Sequence, residues 1–97
     1  MITTKQRAYL RGLANKIPAL YQVGKGGVND NFIEMIDDAL EKNELLKVTV
    51  LENSGETPRD ICHQVMEATN AEPVQVIGNK FIIYRRSVEN PTIILPK

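Results

Sequence analysis

The chain has 97 residues, enough for one hydrophobic core and too few for two. Twelve lysines and arginines balance twelve aspartates and glutamates, and a net charge of zero argues at first sight against a nucleic-acid partner. No apolar run approaches the ~20 residues of a membrane span, the polar start from Met1 to Arg7 lacks a signal-peptide pattern, and the lone Cys62 excludes an intramolecular disulfide and fits a reducing cytoplasm.

Thr3-x-x-Gln6 has capping-box spacing, and Leu10, Leu13, Ala14 and Ile17 recur at helical intervals, so a first helix is predicted from about Thr4 to Ala14. Pro18 blocks its continuation, and Ala19 to Val23 reads as the first strand. The stretch Val23-Gly24-Lys25-Gly26-Gly27-Val28-Asn29 then carries the strand into a second helix. Its spacing Gly24-x-x-Gly27 matches the loop with which KH-type domains clamp a nucleic-acid backbone. A helix N-terminus offers unpaired N–H groups and partial positive charge, and Lys25 adds a full one, so the junction suits a phosphate. Two other phosphate motifs are excluded. Gly26-Gly27 is followed by Val28-Asn29 rather than by the Lys-Ser/Thr of a P-loop, and Asn29 stands where a dinucleotide fingerprint needs its third glycine.

Asn29 caps the second helix, whose stripe of Phe32, Ile33, Ile36, Ala39 and Leu40 leaves Glu34, Asp37, Asp38 and Glu41 elsewhere on its surface. Asn43 is its predicted stop. Leu46 to Leu51 forms the second strand, and Thr57-Pro58-Arg59-Asp60 starts a third helix ending near Asn70, with Ile61, Val65 and Ala68 inward. Val74 to Ile77 and Lys80 to Arg85 form a hairpin across Gly78-Asn79. Residues 86–97, with Pro91 and Pro96, form an edge strand or an extended arm. The order αβαβαββ gives an α/β fold in two layers, with a four-stranded mixed sheet. Right-handed crossovers place the first two strands parallel and the final hairpin antiparallel, with the helices mainly on one face. Phe32, Ile36, Leu40, Val48, Val50, Val65, Val76 and Ile83 are expected in the core.

The zero net charge hides an uneven distribution. Residues 1–29 carry five cations and no acid, residues 30–72 eleven acids against three cations, and residues 73–97 four cations against Glu89. Such asymmetry suits a molecule with one basic binding face. Chemistry is less well supplied. Asp37 and Asp38 are adjacent on a helix and do not converge, Ser54 and Ser87 lie outside any nucleophile motif, and no metal cluster or cofactor motif is present. Cys62 and His63 point about 100° apart and cannot chelate together. Cys62 reads as a core or boundary residue and His63 as a surface or boundary one. A non-catalytic chain is expected.

At this point the chain resembles a stand-alone CRM domain (chloroplast RNA splicing and ribosome maturation) of the bacterial YhbY type. The likeness runs from Lys5-Gln6-Arg7 and Leu10-Arg11-Gly12-Leu13-Ala14 to Leu95-Pro96. Its most specific pieces are Val23-Gly24-Lys25-Gly26-Gly27, Leu45-Leu46-Lys47-Val48, and Gln75-Val76-Ile77-Gly78 leading to Tyr84-Arg85. The resemblance implies a fold similar to the C-terminal domain of translation initiation factor three, and RNA binding through Gly24, Lys25, Gly26 and Gly27. Lys5, Arg7, Arg11, Lys47, Lys80, Arg85 and Arg86 would supply the surrounding basic surface. It also implies ribosomal RNA of the precursor large subunit as partner, with ribosomal proteins nearby. The competing reading is a protein-interaction module in which the acidic second and third helices dock a ribosomal or assembly protein.

Overall fold

The computed structural model describes residues 2–97; Met1, the first residue of the polar start, lies outside them. Helix α1 spans Thr4–Ala14, opened by the capping box in which Gln6 N–H donates to Thr3 Oγ1 and Thr3 N–H to Gln6 Oε1. Strand β1 (Tyr21–Val23) follows, then α2 (Asp30–Asn43), β2 (Leu45–Val50), α3 (Pro58–Thr69), β3 (Glu72–Ile77) and β4 (Lys80–Tyr84). A single 3-10 turn occupies Glu52–Ser54, between β2 and α3. Asn29 and Thr57 cap α2 and α3 with their side-chain oxygens, as the sequence predicts. β1 is two residues shorter than expected and β3 starts two earlier, carrying Pro73 at a register shift. That proline is tolerated because β3 is an edge strand.

The sheet runs β1-β2-β4-β3, with β1 and β2 parallel and the other two pairings antiparallel. β4 therefore inserts between β2 and β3. Its Phe81, Ile82, Ile83 and Tyr84 are all buried, so both faces of this central strand must be covered. One face carries Val23, Leu46, Val48, Val50, Phe81 and Ile83 and packs on Phe32, Ile36, Leu40, Ile61 and Val65 of α2 and α3. The other carries Leu45, Val74, Ile82 and Tyr84 beneath Leu10 and Ala14 of α1, with Ile93 and Leu95 of the C-terminal segment beside them. The helices are thus not gathered on one face. α2 and α3 with the sheet make the two expected layers, and α1 adds a partial third. Of the eight expected core residues, seven are buried, and Val76 is half-buried against the α2–α3 cluster.

Candidate nucleic-acid interface

The glycine stretch is a tight turn at the C-terminal end of β1. Val23 C=O accepts from Leu51 N–H (2.8 Å), which closes the parallel ladder, and Gly24 C=O accepts from Gly27 N–H (3.0 Å). That bond puts Lys25 and Gly26 at the tip. Gly26 has φ 98° and Gly27 φ 59°, values that a side chain would strain. Gly24 is crowded in a different way: a Cβ there would come within 3.2 Å of Asn53 Oδ1 and 3.3 Å of Leu51 Cδ1, so those side chains would have to shift. The 3-10 turn therefore buttresses the loop from behind.

Lys25 is exposed. Two residues past the loop, Asn29 Oδ1 accepts Phe32 N–H at 2.8 Å and fixes the start of α2. Acid is also close. A Cβ on Gly27 would lie 3.2 Å from Glu56 Oε2, and Asp30 occupies the first helical turn. Glu56 is held by Gln64 Nε2 at 2.7 Å. An anion therefore has its favourable approach from the Lys25–Gly26 tip, away from Glu56.

The remaining basic residues divide into groups. Lys47 pairs in register with Ile82, and Gln22, Thr49 and Lys80 form one row across β1, β2 and β4. These residues belong to the sheet face shared with α1; Lys47 lies beside the end of α1, and the Gln22–Thr49–Lys80 row is nearer the glycine turn. Arg7 and Arg11 are one turn apart on α1, both half-buried, and Arg7 Nε donates to Pro73 C=O (3.0 Å), tying α1 to β3. Lys5 is exposed on the first turn of α1. Arg86 is exposed at the far end of β4 from Lys80, beside Gln6 and Tyr84. Some 20 Å of extended chain separates Arg86 from Lys80.

Arg85 leaves the group. Its guanidinium lies on the α2–α3 side, paired with the Asp37 carboxylate and donating to Asp37 C=O (3.0 Å) and Thr69 C=O (2.8 Å). The side-chain parity that sends Phe81 and Ile83 into the core also sends Arg85 there, and it closes the C-terminal end of α3. Alternation continued from β4 turns Arg85 and Arg86 to opposite sides, and Arg85 is the one whose guanidinium is engaged on the α2–α3 side.

Two further residues organise the molecule without a local sequence signal. Glu44 is fully buried, with φ 67°, just after α2. Its carboxylate accepts Ser87 N–H (2.9 Å), Thr92 N–H (2.7 Å), Thr92 Oγ1–H (3.0 Å) and Ile93 N–H (2.8 Å). One turn earlier, Glu41 accepts from Ser87 Oγ, Val88 N–H and Glu89 N–H. These two carboxylates bind the C-terminal segment to the domain. Burial pushes the Glu44 carboxyl up, but the four donors outweigh it and hold it below its ordinary range; the Ser87 hydroxyl and the two amides lower Glu41. Their partners are more than forty residues away in sequence, which is why periodicity does not find them.

The other chemical candidates are accounted for. Cys62 is buried, which pushes its thiol up to about 11. Exposed His63 pairs with Glu67 one helical turn on, at 2.9 Å. Among the described residues, no group of three His, Cys, Asp or Glu could hold a metal, and no helix is long and apolar enough to cross a membrane.

Fold and loop together define a class, a mixed α/β domain with a Gly-x-x-Gly turn set between a parallel strand and a capped helix. The chain belongs to the CRS1/YhbY (CRM) domain family, whose model matches residues 2–85. It is 45% identical over 96 residues to the "Probable RNA-binding protein YqeI" of Bacillus subtilis, covering 99% of this chain and 100% of that one. An "RNA-binding protein" of Haemophilus influenzae is 34% identical over 96 residues, covering 99% and 96%. The solution structure of SAV1595 from Staphylococcus aureus, described as a hypothetical protein and candidate RNA binder, superposes with a TM-score of 0.78. It is 46% identical, covering 99% of this chain and 100% of that one.

Proposed function

We propose that the chain is a non-catalytic RNA-binding protein of ribosome assembly, acting as one CRM unit with residues 86–97 as its tail, in the cytoplasm, on ribosomal RNA of the precursor large subunit. The observation that carries the RNA reading is the alignment, over nearly the whole length of the chain, with two relatives whose names call them probable RNA-binding or RNA-binding proteins, at 45% and 34% identity. The geometry adds a mechanism. The turn at Gly24–Gly27 brings Lys25 and the open backbone of Gly26 close to a phosphate. Lys47, Lys80, Arg11 and, further along, Lys5 and Arg86 supply salt-dependent attraction over a longer stretch of backbone. Arg7 has one nitrogen engaged with Pro73 and keeps its other donors for RNA, whereas Arg85 serves the fold. Crosslinking the protein to RNA in cells and sequencing the adducts tests this. Adducts concentrated in precursor large-subunit RNA are the expected result. Adducts spread over messenger and transfer RNA would remove the ribosomal assignment, and their absence would remove RNA.

A further inference from the structure

The uncovered part of the β2 edge opens into a cavity of about 440 Å³ between the end of α1 and the sheet. Leu13, Ile17, Tyr21 and Leu45 give it an apolar wall, Lys16 and Lys47 are its cations, and its lining contains no acid. The segment after α1 is held in place by Lys16 N–H to Leu13 C=O (3.1 Å) and Ile17 N–H to Ala14 C=O (3.2 Å), so that wall is preformed. The registered ladder with β1 begins at Val48, so Leu45 and Leu46 at the start of β2 have no β1 partner where they line the cavity.

We infer that this cavity receives one unstacked base of a single-stranded RNA, with the flanking phosphates on Lys16 and Lys47; the inference rests on the RNA reading above. The chemistry matches in three respects. An aromatic and aliphatic wall takes the face of a splayed-out base, and the start of β2, which has no β1 partner, leaves room for the base rim. Two cations without a competing acid take the adjoining phosphates. The charge pattern also sets a direction. On the other side of Tyr21 and Asn43 lies a groove whose lining includes Glu34 and Asp38 of α2, which repels phosphate. The RNA strand must therefore leave along Lys47 toward the open sheet face rather than over α2.

The test compares binding of the full chain to oligouridine of about ten nucleotides and to an oligomer of equal length and charge whose sugars are abasic. Wild type should prefer the base-bearing oligomer by roughly fivefold or more, the scale of one stacked base. Ile17→Trp, which fills the cavity, should abolish that preference while leaving the abasic affinity unchanged. Should that variant fail to fold, photocrosslinking of 4-thiouridine oligomers to wild type decides, with adducts expected in residues 13–21 or 45–47. Equal affinity of wild type for both oligomers, or adducts confined elsewhere, overturns the base pocket and leaves RNA binding standing. Binding to neither oligomer at low salt overturns both readings. Occupation of the cavity by an acidic, leucine-bearing peptide that oligouridine cannot displace overturns it in favour of a protein partner.

Discussion

Replacing Glu44 by glutamine separates the charge of a buried carboxylate from its shape. In the native structure Oε1 accepts three donors, from Thr92 N, Thr92 Oγ1 and Ile93 N, and Oε2 accepts Ser87 N–H. Glutamine has one acceptor oxygen. Turning it toward Thr92 and Ile93 sets its NH₂ against Ser87 N–H, so one bond is lost and two donors face each other. The three retained bonds change from charged to neutral, a loss of about 1 kcal/mol each, and the lost one forfeits about 1.5–3 kcal/mol. Easier desolvation of a neutral amide offsets part of this sum. The net cost should be about 3 kcal/mol, which for a domain this size lowers Tm by roughly 12–24 °C. Urea unfolding should show a lower midpoint with an unchanged slope, and amide exchange should accelerate at Ser87, Thr92 and Ile93. A Glu44→Gln protein with wild-type midpoint and wild-type protection at those amides would refute the idea that this carboxylate secures the C-terminal segment.

Lys25→Glu should weaken RNA binding and flatten its salt dependence while leaving Tm within a few degrees, because an exposed loop charge contributes little to stability; filter binding at two salt concentrations checks it. Arg85→Ala should show the reverse, lowering stability by about 2 kcal/mol through loss of its bonds to Asp37 and Thr69, with RNA affinity unchanged in the same assay. Acid should release the C-terminal segment. Both Glu41 and Glu44 are held below the ordinary carboxyl value of 4.5, so the folded state binds fewer protons than the unfolded one. Their contribution is complete above that value and is lost as pH falls through the lowered folded values. Faster proteolysis of residues 87–97 at pH 3.5 than at pH 6 with an acid-tolerant protease is the expected sign, and Glu44→Gln should narrow the difference.

What the sequence made legible is what local chemistry decides. The caps at Thr3, Asn29 and Thr57 are read from a few residues, and the structure shows each with its side-chain acceptor engaged. The hairpin at Gly78-Asn79 and the glycine turn are equally local, and Gly26, Gly27 and Gly78 all have positive φ. What stayed hidden depends on pairings distant in sequence. The insertion of β4 between β2 and β3 has no local marker, although alternating apolar residues on both its sides already required two covered faces. Glu41 and Glu44 read as part of an acidic helix surface, yet they accept the amides of a segment more than forty residues away. Alternation puts Arg85 on the same side as Phe81 and Ile83, but that its charge is used internally follows only from the placement of Asp37 and the end of α3.

The neutrality of the chain is compatible with the proposed basic surface because of how thick the layers are. Asp38 and Glu34 are exposed on α2, while Lys47 and Lys80 belong to the sheet face turned away from that helix. A helix is about 10 Å across, so acids on its outer side are roughly 15 Å or more from cations on the far face of the sheet. The Debye length at physiological salt is about 8 Å. Across that separation opposite charges barely screen one another, and each face presents its own sign to an approaching polyanion. Where an acid does come close, as Asp37 does to Arg85, the cation is neutralised and drops out of the surface. At the glycine turn the same logic restricts the approach, since Glu56 lies against Gly27 while Lys25 is exposed at the tip. It is the placement of the cations relative to the acidic helices, rather than their number, that makes the proposed RNA-facing surface compatible with zero net charge.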